Sequence, residues 1–345
     1  MEPQSVVLGI DENGLGPRLG PLVVTAVVAL TTPEGLLRAE SKPRGKMRER
    51  LDDSKKLVAY GDSGLGEAWA RAIVRRMLGS DPRTPEALVR ALSLDGPDAL
   101  QAPCPDDHAR QCWQHEGETF TCDDALVAEV EADLAKLQDK GVTIARAACV
   151  LMCTRRLNEG VARGLSRFQM DLHAMERLAL DARERAGKDV LATCGKVGGY
   201  DSYPAAFGPL SGRLHAVAIE GRARSEYVVP GVGRLAFVRD ADASNMLVSM
   251  ASLVGKWMRD RLMSRIVRYH REHDPELPDA SGYHDPVTAR FVEATALSRK
   301  RRKLEDDCFE RQALPPPSAR GPASSRRPPT SSRRPASSPS RPSSA

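Results

Sequence analysis

Two adjacent carboxylates, Asp11 and Glu12, end the apolar run Val6-Val7-Leu8-Gly9-Ile10, directly before the turn Asn13-Gly14-Leu15-Gly16-Pro17 and a second β-branched run from Leu22 to Val28. Acids delivered to a strand end beside bare backbone amides can hold a metal ion and a phosphate. Successive side chains on a regular strand face opposite ways, so this pair can share a cation only where the strand bends or stops. Gly14 and Gly16 permit such a bend and let a ligand approach the main chain. A dinucleotide fingerprint is excluded. The spacing Gly14-x-Gly16-x-x-x-Gly20 is wrong for it, and β-branched residues behind two prolines follow where a helix N-terminus is needed. A solvated Asx-Gly hairpin turn stays open as the plainer reading of these residues taken alone.

A third acid, Asp242, lies where the apolar run Leu235 to Val238 hands over to a helix. That helix shows one buried face: Met246, Met250, Leu253, Val254, Trp257, Leu262, Ile266 and Tyr269 recur at steps of three and four. Asp242 could simply cap the helix. Strands alternating with helices nevertheless indicate an α/β sheet, whose sites gather at strand ends, and all three acids fall at such ends.

The chain of 345 residues is long enough to bury a large core, and no apolar run approaches the length of a membrane span. Met1-Glu2-Pro3-Gln4-Ser5 lacks the basic and apolar regions of a signal peptide, which predicts a cytoplasmic location. The seven cysteines are scattered, so reduced thiols are expected. Cys104, His108, Cys112, His115 and Cys122 are close enough in sequence to bind zinc, but no C-x2-C pair occurs among them. The net charge of +5 contains six arginines that follow Pro315 with no acid beside them, which leaves −1 for residues 1–314. The Pro/Ser/Arg segment 315–345 has almost nothing to bury and is expected to be disordered. Its arginines could hold nucleic-acid phosphates without reading sequence, or simply be solvated.

Along the chain, residues 5–30 predict two strands and about Gly66 to Leu78 a helix. Residues 80–123 predict an irregular cysteine-containing insertion. A helical stretch from about Asp124 to Arg185 should break into two or more helices. Short strands are expected at Asp189 to Cys194, Leu214 to Glu220, Ser225 to Val229 and Leu235 to Val238. The domain then spans 1–300, with a basic and acidic helix end at 301–314.

Four segments, in order, resemble the type 2 ribonucleases H. Gly9-Ile10-Asp11-Glu12-Asn13-Gly14-Leu15-Gly16 with Gly20-Pro21 resembles that family's opening motif, and Asp53-Ser54-Lys55-Lys56-Leu57 its D-S-K-K-L. Asp242-Ala243 with Ala251-Ser252 through Arg259-Asp260 resembles its K-A-D-A…A-A-S-I-x-A-K-V-x-R-D, and Ser281-Gly282-Tyr283-His284 a glycine-tyrosine segment near the domain's end. The resemblance covers roughly residues 5–295, apart from the 80–123 insertion. It implies an α/β ribonuclease H-like mixed sheet flanked by helices, with an insertion and a disordered tail. It also implies an endonuclease cleaving the RNA strand of RNA–DNA hybrids, or cutting at ribonucleotides in DNA, with two Mg²⁺ or Mn²⁺ ions, as a monomer without a membrane partner.

By the same resemblance Asp11, Glu12 and Asp242 are catalytic metal ligands. Gly14, Leu15 and Gly16 meet the ribose 2′-hydroxyl, Tyr283 stacks on a sugar, and Lys55 and Lys256 meet phosphates. Read alone, the lysines could be solvated and the tyrosine could belong to the core. Two departures stand out. Leu15 replaces the arginine of the family's G-R-G, and Cys194 or Gly195 stands where a third metal-binding aspartate is expected. Asp201, Asp240 and Glu220 are the neighbouring acids able to substitute. The alternative function is a catalytically degenerate relative that binds hybrid or structured nucleic acid without cutting.

Overall fold

The computed structural model describes residues 4–106, 110–196 and 200–312. Expectations for His108, for Val197 to Gly199 and for the tail from 315 fall outside the described residues. The chain runs β1 (Ser5–Asn13), β2 (Leu22–Thr31), α1 (Pro33–Ala39), α2 (Ser54–Leu57), α3 (Gly64–Leu78), α4 (Pro85–Leu92), α5 (Pro97–Gln101), α6 (Asp124–Gln138), β3 (Val142–Met152), α7 (Thr154–Ala162) and α8 (Arg167–Ala186). It continues through β4 (Val190–Gly195), β5 (Ala216–Ile219), β6 (Arg224–Val229), β7 (Gly233–Val238), α9 (Met246–Arg271), α10 (Pro286–Ala294), α11 (Ala296–Arg301) and α12 (Asp306–Phe309).

Among the described residues the strands form one seven-stranded sheet in the order β3-β2-β1-β4-β7-β6-β5. The outer pairings are antiparallel and the central β1-β4-β7 trio is parallel. This is the mixed sheet flanked by helices expected from the sequence. In the trio Ile10 stands level with Cys194 and Cys194 with Phe237, so the three C-terminal ends open at one edge of the sheet.

Alternation along β1 divides the core. Val7 joins α3, α6 and α9 on one face, with Trp69, Ile73, Leu253 and Trp257. Val6, Leu8 and Ile10 join α8 on the other, with Phe168, Leu172, Met175 and Leu178. At Gly9 the helix backbone itself sits against the strand. A Cβ there would lie 2.2 Å from the Leu247 carbonyl carbon, so only glycine lets the start of α9 approach so closely. A third apolar cluster joins Leu19, Met263, Ile266, Phe291 and Phe309 beyond the end of the sheet.

Two sequence expectations need correction. The helical stretch 124–185 contains the long strand β3, paired along its length with β2. Gly141, at φ +76°, stops the chain after α6, and Val142-Thr143-Ile144 begins the strand. The ladder with β2 overrides the helix preference of the alanines that follow. The 80–123 stretch is not wholly irregular either. It holds α4 and α5, whose Leu88, Val89, Leu92 and Leu100 enter the core. Its Leu94 N–H donates to the Cys149 carbonyl of β3 at 2.8 Å, so this segment covers an otherwise open sheet edge. Segment 301–312 also packs inward, burying Leu304, Cys308, Phe309 and Arg311. No helix among the described residues is long and apolar enough to cross a membrane.

Candidate active site

A polar cavity of about 330 Å³ opens at the C-terminal edge of β1, β4 and β7. Its lining includes the nine residues to which the sequence resemblance gave metal or substrate roles: Asp11, Glu12 and Asp242, Gly14, Leu15 and Gly16, and Lys55, Lys256 and Tyr283. Parallel register explains the meeting of acids so distant in sequence, since Asp11 follows Ile10, Gly195 follows Cys194, and Asp240 and Asp242 follow the end of β7.

Asp242 does not cap the helix. The N-cap of α9 is Asn245, whose side chain accepts from the Leu247 and Val248 amides. Among the described residues the Asp242 carboxylate accepts only a local bond, from the Ala243 amide at 3.0 Å, and it lines the cavity. The Asp53-Ser54-Lys55 loop is held by two contacts. Asp53 caps α2, and Ser54 shares a buried 2.9 Å hydroxyl bond with Ser252 of α9. Asn13 Nδ2 donates to the Ser252 carbonyl, so one turn of α9 registers both β1 and the lysine loop.

The electrostatics fit a bound cation. Burial raises the Asp11 pKa well above its ordinary range; Glu12 and Asp242 add repulsion, while Ser252 and Lys55 oppose it. Glu12 is pushed up to about 8, by burial first and by the Asp171 carboxyl second. Asp242 is raised by burial and then by Asp53. Buried oxygen acids that repel one another are the donor set a hard divalent ion relieves. Among the described residues no three His, Cys, Asp or Glu groups already stand at coordinating spacing, so an ion would have to draw these acids inward.

Neither Cys194 nor Gly195, the residues standing where a third acid was expected, offers a carboxylate. A Cβ at Gly195 would lie 2.7 Å from Asp11 Oδ1, so the Asp11 carboxylate occupies the space where a side chain would begin. Of the substitutes named from the sequence, Asp201 pairs with Lys196 Nζ at 3.5 Å and Glu220 accepts from the Tyr227 hydroxyl at 2.6 Å. Asp240 lines the cavity, in the left-handed backbone region at φ +52°. Asp171, on α8, was not foreseen. It is fully buried, neither carboxyl oxygen has a hydrogen-bond partner among the described residues, and it interacts electrostatically with both Asp11 and Glu12.

Two buried arginines also escaped the sequence reading. Arg259 packs beneath Gly14, donates to the Ser281 carbonyl at 2.7 Å and lies 4.5 Å from the Tyr283 ring centre. Tyr283 is 46% exposed, which removes the core alternative and leaves a ring facing the cavity. Arg311 donates from Nη1 to the Gly14 carbonyl at 2.6 Å and from Nε to the Gly20 carbonyl at 2.8 Å, and burial lowers its pKa to about 9. Arg259 lay inside a quoted motif; Arg311 carried no local signal. Lys256 is tied to Asp260 at 3.0 Å, whereas Lys55 acts on Asp11, Glu12 and Asp242.

Over 80 residues the chain is 42% identical to Ribonuclease HII of Chlorobaculum parvum. Over that stretch the chain is similar to a type 2 ribonuclease H. The matched stretch covers 21% of this chain and 35% of that relative, and no family model matches. Among solved structures, the PCNA:RNase HII complex from Archaeoglobus fulgidus is similar with TM-score 0.41 and 17% identity, over 90% of this chain and 95% of that one. Bst-RNase HIII in complex with Mn²⁺ gives TM-score 0.41 and 12% identity, over 89% and 66% of the two chains. Ribonuclease H2 from Pyrococcus horikoshii OT3 gives 0.36 and 15%, over 88% and 92%.

Proposed function

We propose that this ribonuclease H relative is a divalent-metal-dependent endonuclease that hydrolyses the RNA strand of RNA–DNA hybrids or cuts at ribonucleotides in DNA. The observation that carries this reading is the meeting of Asp11, Glu12 and Asp242 in one cavity with Lys55 and the bare Gly14–Gly16 turn. Mg²⁺ or Mn²⁺ held by Asp11, Glu12 and Asp242 would supply Lewis acidity toward the phosphate and make the attacking water more acidic.

The chain's own groups orient the substrate. Lys55 provides positive charge beside the acids for a backbone phosphate. Gly16 has open space where a Cβ would stand, so its main chain can approach a ribose and feel the 2′-hydroxyl that separates RNA from DNA. Tyr283, backed by Arg259, offers an exposed ring for packing on a sugar.

The missing third carboxylate favours a second reading, a relative that binds hybrid without cutting it. A labelled hybrid incubated with Mg²⁺ or Mn²⁺ separates the two. Metal-dependent product that disappears in Asp11→Asn supports the nuclease. Hybrid binding without product under any divalent ion supports the binder.

A further inference from the structure

Four of the seven cysteines meet at a place no local spacing announces. Cys104 and Cys112 from the segment before α6, Cys153 at the start of α7 and Cys308 in α12 line one small cavity of about 20 Å³, with Trp113 and Arg155. Among the described residues, the other two zinc candidates lie elsewhere. Cys122 lies beside Glu67 and Arg71, its amide donating to Glu67 at 2.8 Å, and His115 does not line the cavity. Among the described residues all the cysteines are free.

Buried thiols on their own behave as small apolar groups and need no polar company. These have it. Arg155 Nη1 approaches Cys308 Sγ at 4.0 Å. The Trp113 indole N–H is buried without a hydrogen-bond partner among the described residues, and Trp113 lines the same cavity. Cys153 is the N-cap residue of α7, its side chain making no capping hydrogen bond, at the helix end whose free amides favour negative charge. Burial raises the pKa of all four thiols, so without a metal they are neutral, and these N–H groups would face negative charge only once a cation displaces the thiol protons.

We propose that Cys104, Cys112, Cys153 and Cys308 form a tetrathiolate site for a structural Zn²⁺ ion. Binding takes the metal up from solution and releases four thiol protons, leaving a centre with two negative charges that the surrounding N–H groups face. The sulfurs stand wider than coordinating distance, so side-chain rotation into the cavity must bring each to about 2.3 Å from the ion. The site would tie the segment before α6 and the end of β3 to α12. Arg311, three residues after Cys308, holds the Gly14 and Gly20 carbonyls beside the acid cavity.

The test begins with elemental analysis of the full chain, purified in reductant without chelator. About one zinc per chain is expected, falling below about a tenth in Cys112→Ser or Cys153→Ser and unchanged in Cys122→Ser. Should the first two variants fail to fold, the unmodified chain still decides. Exchange into Co²⁺ should give the visible absorption of tetrahedral thiolate cobalt, and iodoacetamide should spare these four cysteines until the metal is stripped. A reduced chain that takes up neither zinc nor cobalt overturns the proposal, as does recovery of the four cysteines as disulfides under those conditions.

Discussion

The acid cavity and the cysteine cluster are both gatherings of ionisable groups from distant parts of the chain, yet they are built in opposite ways. One is a 330 Å³ opening lined by oxygen acids that repel one another; the other is a 20 Å³ hollow lined by sulfurs with N–H donors around them. An open oxygen site suits a hard ion that must leave room for substrate, and a small sulfur site suits an ion that only cross-links. Burial and ligand softness therefore direct the two sites toward different ions.

The comparison predicts independence at the two sites. Asp11→Asn should lower hybrid cleavage about 1000-fold, a loss of some 4 kcal/mol in transition-state stabilisation, while leaving zinc content untouched. A single-turnover assay paired with metal analysis checks both, and cleavage surviving the change would remove Asp11 from the chemistry. Next in size is Gly9→Ala, because its Cβ meets the α9 backbone that carries Ser252. Urea unfolding should show a loss of about 3 kcal/mol, and an unchanged midpoint would contradict the close approach of strand and helix.

Proton linkage gives a third, smaller effect. The Glu12 pKa is raised from 4.5 to about 8, so the folded chain holds this proton more tightly than the unfolded chain does. Stability from that group is fully present below 4.5 and is lost as the pH rises through 8. A divalent ion needs the ionised acid, so the rise in Tm on adding Mn²⁺ should be larger near about pH 9 than near about pH 6, and a shift equal at both would refute the coupling. The smallest change is expected for Tyr283→Ala. Removing the ring over Arg259 should cost about 1 kcal/mol, seen as a several-fold higher KM with kcat nearly kept. A collapse of kcat instead would move Tyr283 into the chemistry.

Much of this architecture is legible locally. The β1-turn-β2 unit, the buried stripe of α9 and the placing of Asp242 at a strand-helix junction all follow from period and turn chemistry. Strand β3 reads as helix in the sequence because of its alanines, although Gly141 and the β-branched residues after it mark where it starts. What sequence could not reveal is who meets whom across the fold. Asp171 looks like one acid among many on a helix face, and only the packing of α8 against β1 sets it near Glu12. The four cysteines share no spacing, because their neighbourhood is created by α7 and α12 coming together.

The guanidinium of Arg311 has a bearing on the order of events in the cell. It reaches the carbonyl of Gly14 across a sequence separation of 297 residues. At roughly 5–20 residues per second of synthesis, the first strand would wait about 15–60 s for that partner to emerge. A nascent chain would thus display its acidic motif early on a turn still lacking its clamp, and any grip on nucleic acid that needs this turn would be withheld until translation has passed the twelfth helix.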